Sequence, residues 1–185
     1  MNYSERLKDA LGEKSACVQM PEVNLSNLSG KVSADFINLW QKDGLCGYGN
    51  GKFWIIDPNE VTPILPPNDL LPNGFVAFAR DSFANIFLLV GDEIYRLDVH
   101  YGNLNHIAIS TEFFFNVKIY DEDFREKFLV EKQFEIARQK LGDLASDECY
   151  TYKLALALGG SDEVENLTKV KFLEHLALLT QLNEE

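Results

Sequence analysis

Residues Ile86–Val90 (Ile-Phe-Leu-Leu-Val) are apolar at every position, and this run constrains the fold more than any other feature of the chain. A strand with one wet face alternates polar and apolar residues. A strand that does not alternate is covered on both faces. The run is followed by Gly91-Asp92 and then by a second β-rich segment, 93–99. Glycine at the first of two turn positions is what a type II′ turn requires, so the two segments form an antiparallel hairpin with 86–90 central. Segment 74–80, rich in β-branched and aromatic residues, extends the same sheet, and 104–109, reached through Tyr101-Gly102-Asn103, is a candidate further strand. Phe53-Trp54-Ile55-Ile56, which Asp57-Pro58 ends, extends the sheet as well.

Helical periodicity brackets this stretch. Tyr3, Leu7, Ala10 and Leu11 share a face near the N-terminus. Over 31–43, Val32, Phe36, Leu39 and Trp40 recur at helical spacing, and Gly44 stands where a left-handed C-terminal residue is wanted. Residues 13–30 are polar, with Pro21, and read as a surface connection. Pro63, Pro66, Pro67 and Pro72 mark an irregular loop. The glycine segment 47–51 precedes a strand and lacks the lysine of a phosphate-binding loop, so it reads as a tight helix-to-strand connection. Beyond residue 109, Ser110 and Asp121 stand as helix caps, and Val130, Phe134, Ala137 and Leu141 carry a helix to Gly142. The apolar run 154–158 is too short to separate strand from buried helix, and a last helix spans about 167–182. This order predicts an α+β fold: an antiparallel sheet of about four to six strands flanked by helices, with a helical C-terminal part. The length suits a single domain over 1–185, with helix plus antiparallel sheet in about 15–109 and a mainly helical portion in about 110–185.

Charge excludes some partners. The chain carries 17 basic and 29 acidic side chains, a net charge of −12. Nucleic acid and anionic membranes are repelled by such a protein, whereas a basic protein is steered in. The first twenty residues contain no apolar run of the signal-peptide kind, and no stretch is long enough for a membrane span. Three scattered cysteines, Cys17, Cys46 and Cys149, without a CxxC, read as reduced thiols of a cytoplasmic protein rather than a disulfide framework or zinc site.

Catalytic signatures are weak. His100 and His106 form no metal-binding spacing, and no serine-nucleophile motif occurs. A hydrolase or transferase using Cys149 or His175 is the enzymatic alternative. Asp147-Glu148 next to Cys149 would raise its thiol pKa, and His175 among core leucines reads as a partly buried histidine with one hydrogen-bond partner. Three acidic clusters stand out: Asp121-Glu122-Asp123; Asp143 with Asp147-Glu148; and Asp162-Glu163 with Glu165. Each alone reads as a solvated face, and together they suit steering of a basic partner.

Several segments carry a family resemblance. They are Phe36-xxx-Trp40-xxx-Gly44, the run from Tyr48-Gly49-Asn50-Gly51 through Trp54 to Asp57-Pro58, Leu141-Gly142 with Asp147-Glu148-Cys149-Tyr150, the run Leu154-Ala155-Leu156-Ala157-Leu158-Gly159-Gly160, and Asn166-Leu167-Thr168-Lys169-Val170-Lys171 with Glu174-His175-Leu176. From about residue 30 onward the chain resembles the bacterial GAD-like immunity proteins, the kind encoded beside type VI secretion DNase effectors. It departs from the family pattern at Tyr152-Lys153-Leu154, where a proline is expected. The resemblance implies a cytoplasmic antidote without enzymatic activity or cofactor, which binds a basic nuclease toxin and blocks its active or DNA-binding surface. The motif residues are of fold-keeping types. The expected toxin contacts are therefore drawn from the acidic clusters: Asp143, Asp147, Glu148, Asp162 and Glu163. A general protein-interaction module is the remaining alternative.

Overall fold

A computed structural model describes residues 2–65 and 70–182. In chain order the first elements are α1 (Tyr3–Leu11), β1 (Lys14–Val18), α2 (Glu22–Leu28), α3 (Ala34–Asp43), β2 (Leu45–Tyr48), β3 (Phe53–Ile55) and α4 (Pro58–Val61). Then come β4 (Val76–Asp81), β5 (Ile86–Val90), β6 (Glu93–Asp98) and β7 (Asn103–Ala108). The C-terminal portion holds α5 (Thr111–Asn116), α6 (Glu122–Phe124), α7 (Glu131–Leu141), β8 (Glu148–Tyr152), β9 (Leu167–Lys171) and α8 (Phe172–Leu182). Strands β1 to β7 make one antiparallel sheet in sequence order, and β8 and β9 make a separate ribbon. The fold is α+β, as the element order implies.

Strand β5 shows why its sequence lacks alternation. Phe87 and Leu89 enter one core with Tyr3, Phe36, Phe114 and Phe115, while Ile86 and Leu88 enter a second with Phe134, Tyr150, Phe172 and Leu176. The sheet is thus a middle layer, with α1, α3 and α5 over one face and the C-terminal ribbon, α7 and α8 over the other. The first core is aromatic: Tyr3 stacks on Phe115 at 3.9 Å, and Phe36 meets Phe78 edge-on at 5.1 Å. Each such buried ring contributes about 2 kcal/mol or more through burial alone. Gly91 has φ +62° and Asp92 is not among the positive-φ residues, as the type II′ reading of the β5–β6 turn requires.

Several expectations are corrected. Residues 13–30 are not a plain connection, because they contain β1 and α2. Strand β1 is exposed at every position, so it has no alternation to read, and α2 buries only Leu25 and Leu28. The glycine segment joins β2 to β3 as a hairpin, with Gly47 inside β2, rather than joining helix to strand. A Cβ at 47 or 51 would stand 3.0 Å from the Trp54 ring and crowd it, and Gly51 also holds φ +93°. The helix ending at Leu141 does not run on from Asp121. A π turn (Arg125–Leu129) and Val130 at φ +51° separate α6 from α7. Residues Leu167–Lys171 are strand β9, not the start of the last helix, and the apolar run 154–158 holds a short 3-10 turn. Of the proline loop, Pro66 and Pro67 lie outside the described residues, and Pro63 sits in a 3-10 turn.

The cysteines are also corrected. Pairing of β1 with β2 brings Cys17 opposite Cys46, and the two form a disulfide with Cα atoms 4.2 Å apart. The unread edge strand is what hid this pairing. Cys149 is the free thiol, and it is buried.

One side chain ties the C-terminal layer to the sheet. Arg80 of β4 is fully buried between the rings of Trp54 (4.9 Å) and Phe172 (4.5 Å). Its guanidinium donates to the carbonyls of Ser146 (3.2 Å), Glu148 (2.8 Å) and Asp81 (3.2 Å). Burial pushes its pKa down to about 10, so it is charged at neutral pH. Beside it, Tyr150 donates its backbone N–H to Ser82 O at 2.8 Å.

Two substitutions test these contacts. Arg80→Met keeps the stem but strands three carbonyls, so urea denaturation should show a loss of about 3 kcal/mol. Arg80→Lys should not restore it, because an ammonium lacks the planar fork. Gly44 ends α3 at φ +72°, and a Cβ there would lie 2.3 Å from the Val18 carbonyl oxygen. Gly44→Ala should therefore cost about 2 kcal/mol or more in the same assay.

Candidate functional site

The enzymatic residues sit where chemistry is suppressed. Cys149 lies in β8, and burial pushes its thiol up to about 12, so it is protonated at neutral pH. His175 of α8 has its Nε2 2.7 Å from Thr151 Oγ1. Burial, helped by the neighbouring His100, holds it down to about 4, so it is neutral. This is the partly buried histidine with one partner that the leucine-flanked sequence implies. His100 is buried, with Nε2 2.8 Å from the Phe83 carbonyl oxygen and its ring 6.2 Å from that of His175. His106 lies on β7 opposite Tyr95, 3.0 Å from Glu93. Among the described residues, no group of three or more His, Cys, Asp or Glu is placed to hold a metal ion.

A cleft of about 270 Å³ opens where the sheet meets the C-terminal layer. Val18, Leu45, Trp54, Val61, Phe172 and Leu173 line it, together with Glu60 and Asp147. It contains no cysteine, serine-histidine pair or histidine base. The arrangement suits packing of an apolar group better than bond-making.

The acidic clusters divide into paired and unpaired groups. Asp143 bonds Arg138 at 2.6 Å, Asp147 bonds Lys171 at 2.6 Å, and Glu148 lies 3.3 Å from Lys169. Lys171 holds the Asp147 carboxyl below its usual range. The backbone N–H of Ala145, with Lys169, does the same for Glu148. These three share one flank of the β8–β9 ribbon. Asp162 and Glu163 lie in the loop joining β8 to β9, are exposed, and make no ion pair among the described residues. The structure therefore does not gather all five into one unpaired patch. Asp121 caps α6 and pairs with Lys118 at 3.2 Å, leaving Glu122 and Asp123 exposed.

One surface feature lies outside the motifs and acidic clusters of the sequence. Ile109 (72 % exposed), Phe113 (40 %) and Val117 (49 %) stand out at and around α5, while Phe114 and Phe115 of the same helix are fully buried. The signal was available: Phe113-Phe114-Phe115 are consecutive on a helix, and at about 100° per residue three neighbours cannot all face one core.

The pKa of His175 has a measurable consequence. Its folded value lies below the unfolded value of about 6.5, so the unfolded chain takes up the proton first. The contribution is fully present above about pH 6.5 and is lost as pH falls through about 4. His175→Gln should therefore narrow the difference in urea midpoint between about pH 7.5 and about pH 4.5.

Comparison with known proteins gives a consistent assignment. Residues 2–103 match the GAD-like domain family, and residues 109–183 match the family described as T6SS immunity protein Tdi1, C-terminal. No curated protein matches. Among solved structures, the chain is similar to Atu4351 from Agrobacterium tumefaciens, at 19% identity and TM-score 0.76, covering 96% of this chain and 88% of that one. That likeness concerns the fold. The two family matches adjoin at the end of the large sheet and together take in both layers that Arg80 joins. The chain belongs to the GAD-like family of type VI secretion system immunity proteins.

Proposed function

We propose that this immunity protein acts as a stoichiometric, non-enzymatic inhibitor of a basic nuclease toxin, covering the toxin's active or DNA-binding surface. The observation that carries this reading is the net charge of −12 on a protein of an immunity family. A DNase must hold phosphates, so the surface that meets DNA is basic, and an acidic protein competes for it. Among the described residues no helix is long and apolar enough to cross a membrane, which accords with this mode of action.

The expected contacts fall into two kinds. Asp162 and Glu163 offer carboxylates without internal cations, so a toxin lysine or arginine meets them at full charge. Asp143, Asp147 and Glu148 already hold Arg138, Lys171 and Lys169, so a basic partner competes with those side chains. On this reading the first pair contributes more to steering, and the latter three shape the rim.

The test is co-expression with the effector encoded beside this gene, tagged and with its nuclease centre disabled. The expected result is a one-to-one complex, and the active effector should lose DNA cleavage in its presence. Association should slow about tenfold or more between low salt and about 0.5 M salt. A well-folded effector that forms no complex overturns the reading.

A further inference from the structure

Helix α5 is fixed in one orientation. Phe114 and Phe115 are fully buried in the aromatic core, and Ser110 caps the helix by accepting from the Phe113 N–H at 3.1 Å. The helix therefore cannot roll to hide Phe113, and Val117 follows one turn later on the same side. Ile109 precedes the cap, a position from which an apolar side chain often packs back onto the first turn. Here it stands 72 % exposed, so it does not serve the helix. Three apolar side chains are thus held out into water by a rigid element whose other face is locked.

The surrounding charge says what covers them. Residues 109–127 carry Glu112, Asp121, Glu122, Asp123 and Glu126 against Lys118, Arg125 and Lys127, of which Lys118 pairs with Asp121 and Arg125 with Glu131. Glu112, Glu122 and Asp123 are exposed and make no ion pair among the described residues. An apolar centre with a charged rim is the ordinary layout of a protein-binding patch. A second copy of this chain would set three unpaired carboxylates against the same three, on bodies each of net charge −12, so self-association opposes the field. A basic protein surface with an apolar projection relieves both features at once.

We propose that the α5 face, centred on Phe113 and Val117 with Ile109 at its edge, Glu112 beside Phe113 and Asp123 following in α6, is a primary docking surface for the toxin. The proposal rests on the toxin-binding reading above and moves the long-lived contact to the face of the sheet opposite the β8–β9 ribbon and its acids. The apolar centre governs how long the complex lasts, and the carboxylates govern how fast it forms.

The experiment uses full-length protein and the neighbouring effector with its nuclease centre disabled, followed by surface plasmon resonance at low and at physiological salt. Phe113→Ala/Val117→Ala should weaken binding about a hundredfold, chiefly through faster dissociation. Glu112→Lys/Asp123→Lys should slow association about fivefold or more at low salt, with dissociation little changed. All four positions are exposed, so circular dichroism and the melting temperature should match the unmodified protein. A folded Phe113→Ala/Val117→Ala variant that binds as tightly as the unmodified protein overturns the assignment of this surface. Failure of the unmodified protein to bind the effector appears before any variant is made and overturns the toxin-binding reading itself. Sedimentation analysis supplies the remaining outcome: a dimer of the unmodified protein that Phe113→Ala converts to monomer gives the face to a second copy and overturns the proposal.

Discussion

The burial of Arg80 organises the molecule. An arginine without a carboxylate partner is expensive inside a protein, because its hydration must be replaced by something of comparable strength. Here the replacement comes from two aromatic faces and three backbone carbonyls, and two of those carbonyls belong to the chain leading into and along β8. Two of its three carbonyl hydrogen bonds form only when the C-terminal layer is docked. The carboxylate next in sequence, Asp81, is engaged elsewhere: it takes the N–H groups of Phe83 and Asn85 and the guanidinium of Arg96. Asp81 thus shapes the β4–β5 turn, and that turn offers Ser82 O to Tyr150. Neighbouring residues of opposite charge bind different things, and between them they fix where the second core begins.

This dependence explains what could be read from the sequence and what could not. Strand β5 was legible because burial on both faces leaves a local mark, five apolar residues in a row. The caps at Ser110 and Asp121 were legible because a cap is a contact between residues two or three apart. Strands β8 and β9 were not, since their partners are each other and lie across a long loop. Leu167-Thr168-Lys169-Val170-Lys171 does not alternate cleanly, and it runs straight into the periodic α8, whose stronger helical signal absorbed it. Strand β1 left no pattern, because an edge strand exposed at every position has no inner face. Missing it also meant missing that Cys17 faces Cys46, a relation that exists only across the β1–β2 pair.

The candidate site was less legible than the fold, for a related reason. Acidic residues are visible in a sequence, but their compensation is not. Asp143 and Arg138 are near in sequence, yet Asp147 meets Lys171 and Glu148 meets Lys169 only because β8 and β9 pair. Glu148 stands directly opposite Lys171 in that register, so the ribbon interleaves its charges and reduces its own external field. Counting carboxylates along the chain overstates this flank relative to α5 and the start of α6, where Glu112, Glu122 and Asp123 make no ion pair among the described residues.

Charge alone would make a poor antidote. Exposed ion pairs are worth little each, are screened by salt, and speed encounter more than they prolong it. A protein that must hold a lethal partner needs desolvated apolar contact at the centre of its interface, with carboxylates outside it. Such contact must be paid for by leaving apolar side chains in water when the partner is absent, and the molecule can tolerate that only on an element which cannot rearrange to hide them. Helix α5 meets that condition because its buried face carries two phenylalanines in a dense aromatic core. The same packing that secures the first core therefore keeps Phe113 and Val117 outside, and stability on one side of the helix is what makes binding available on the other.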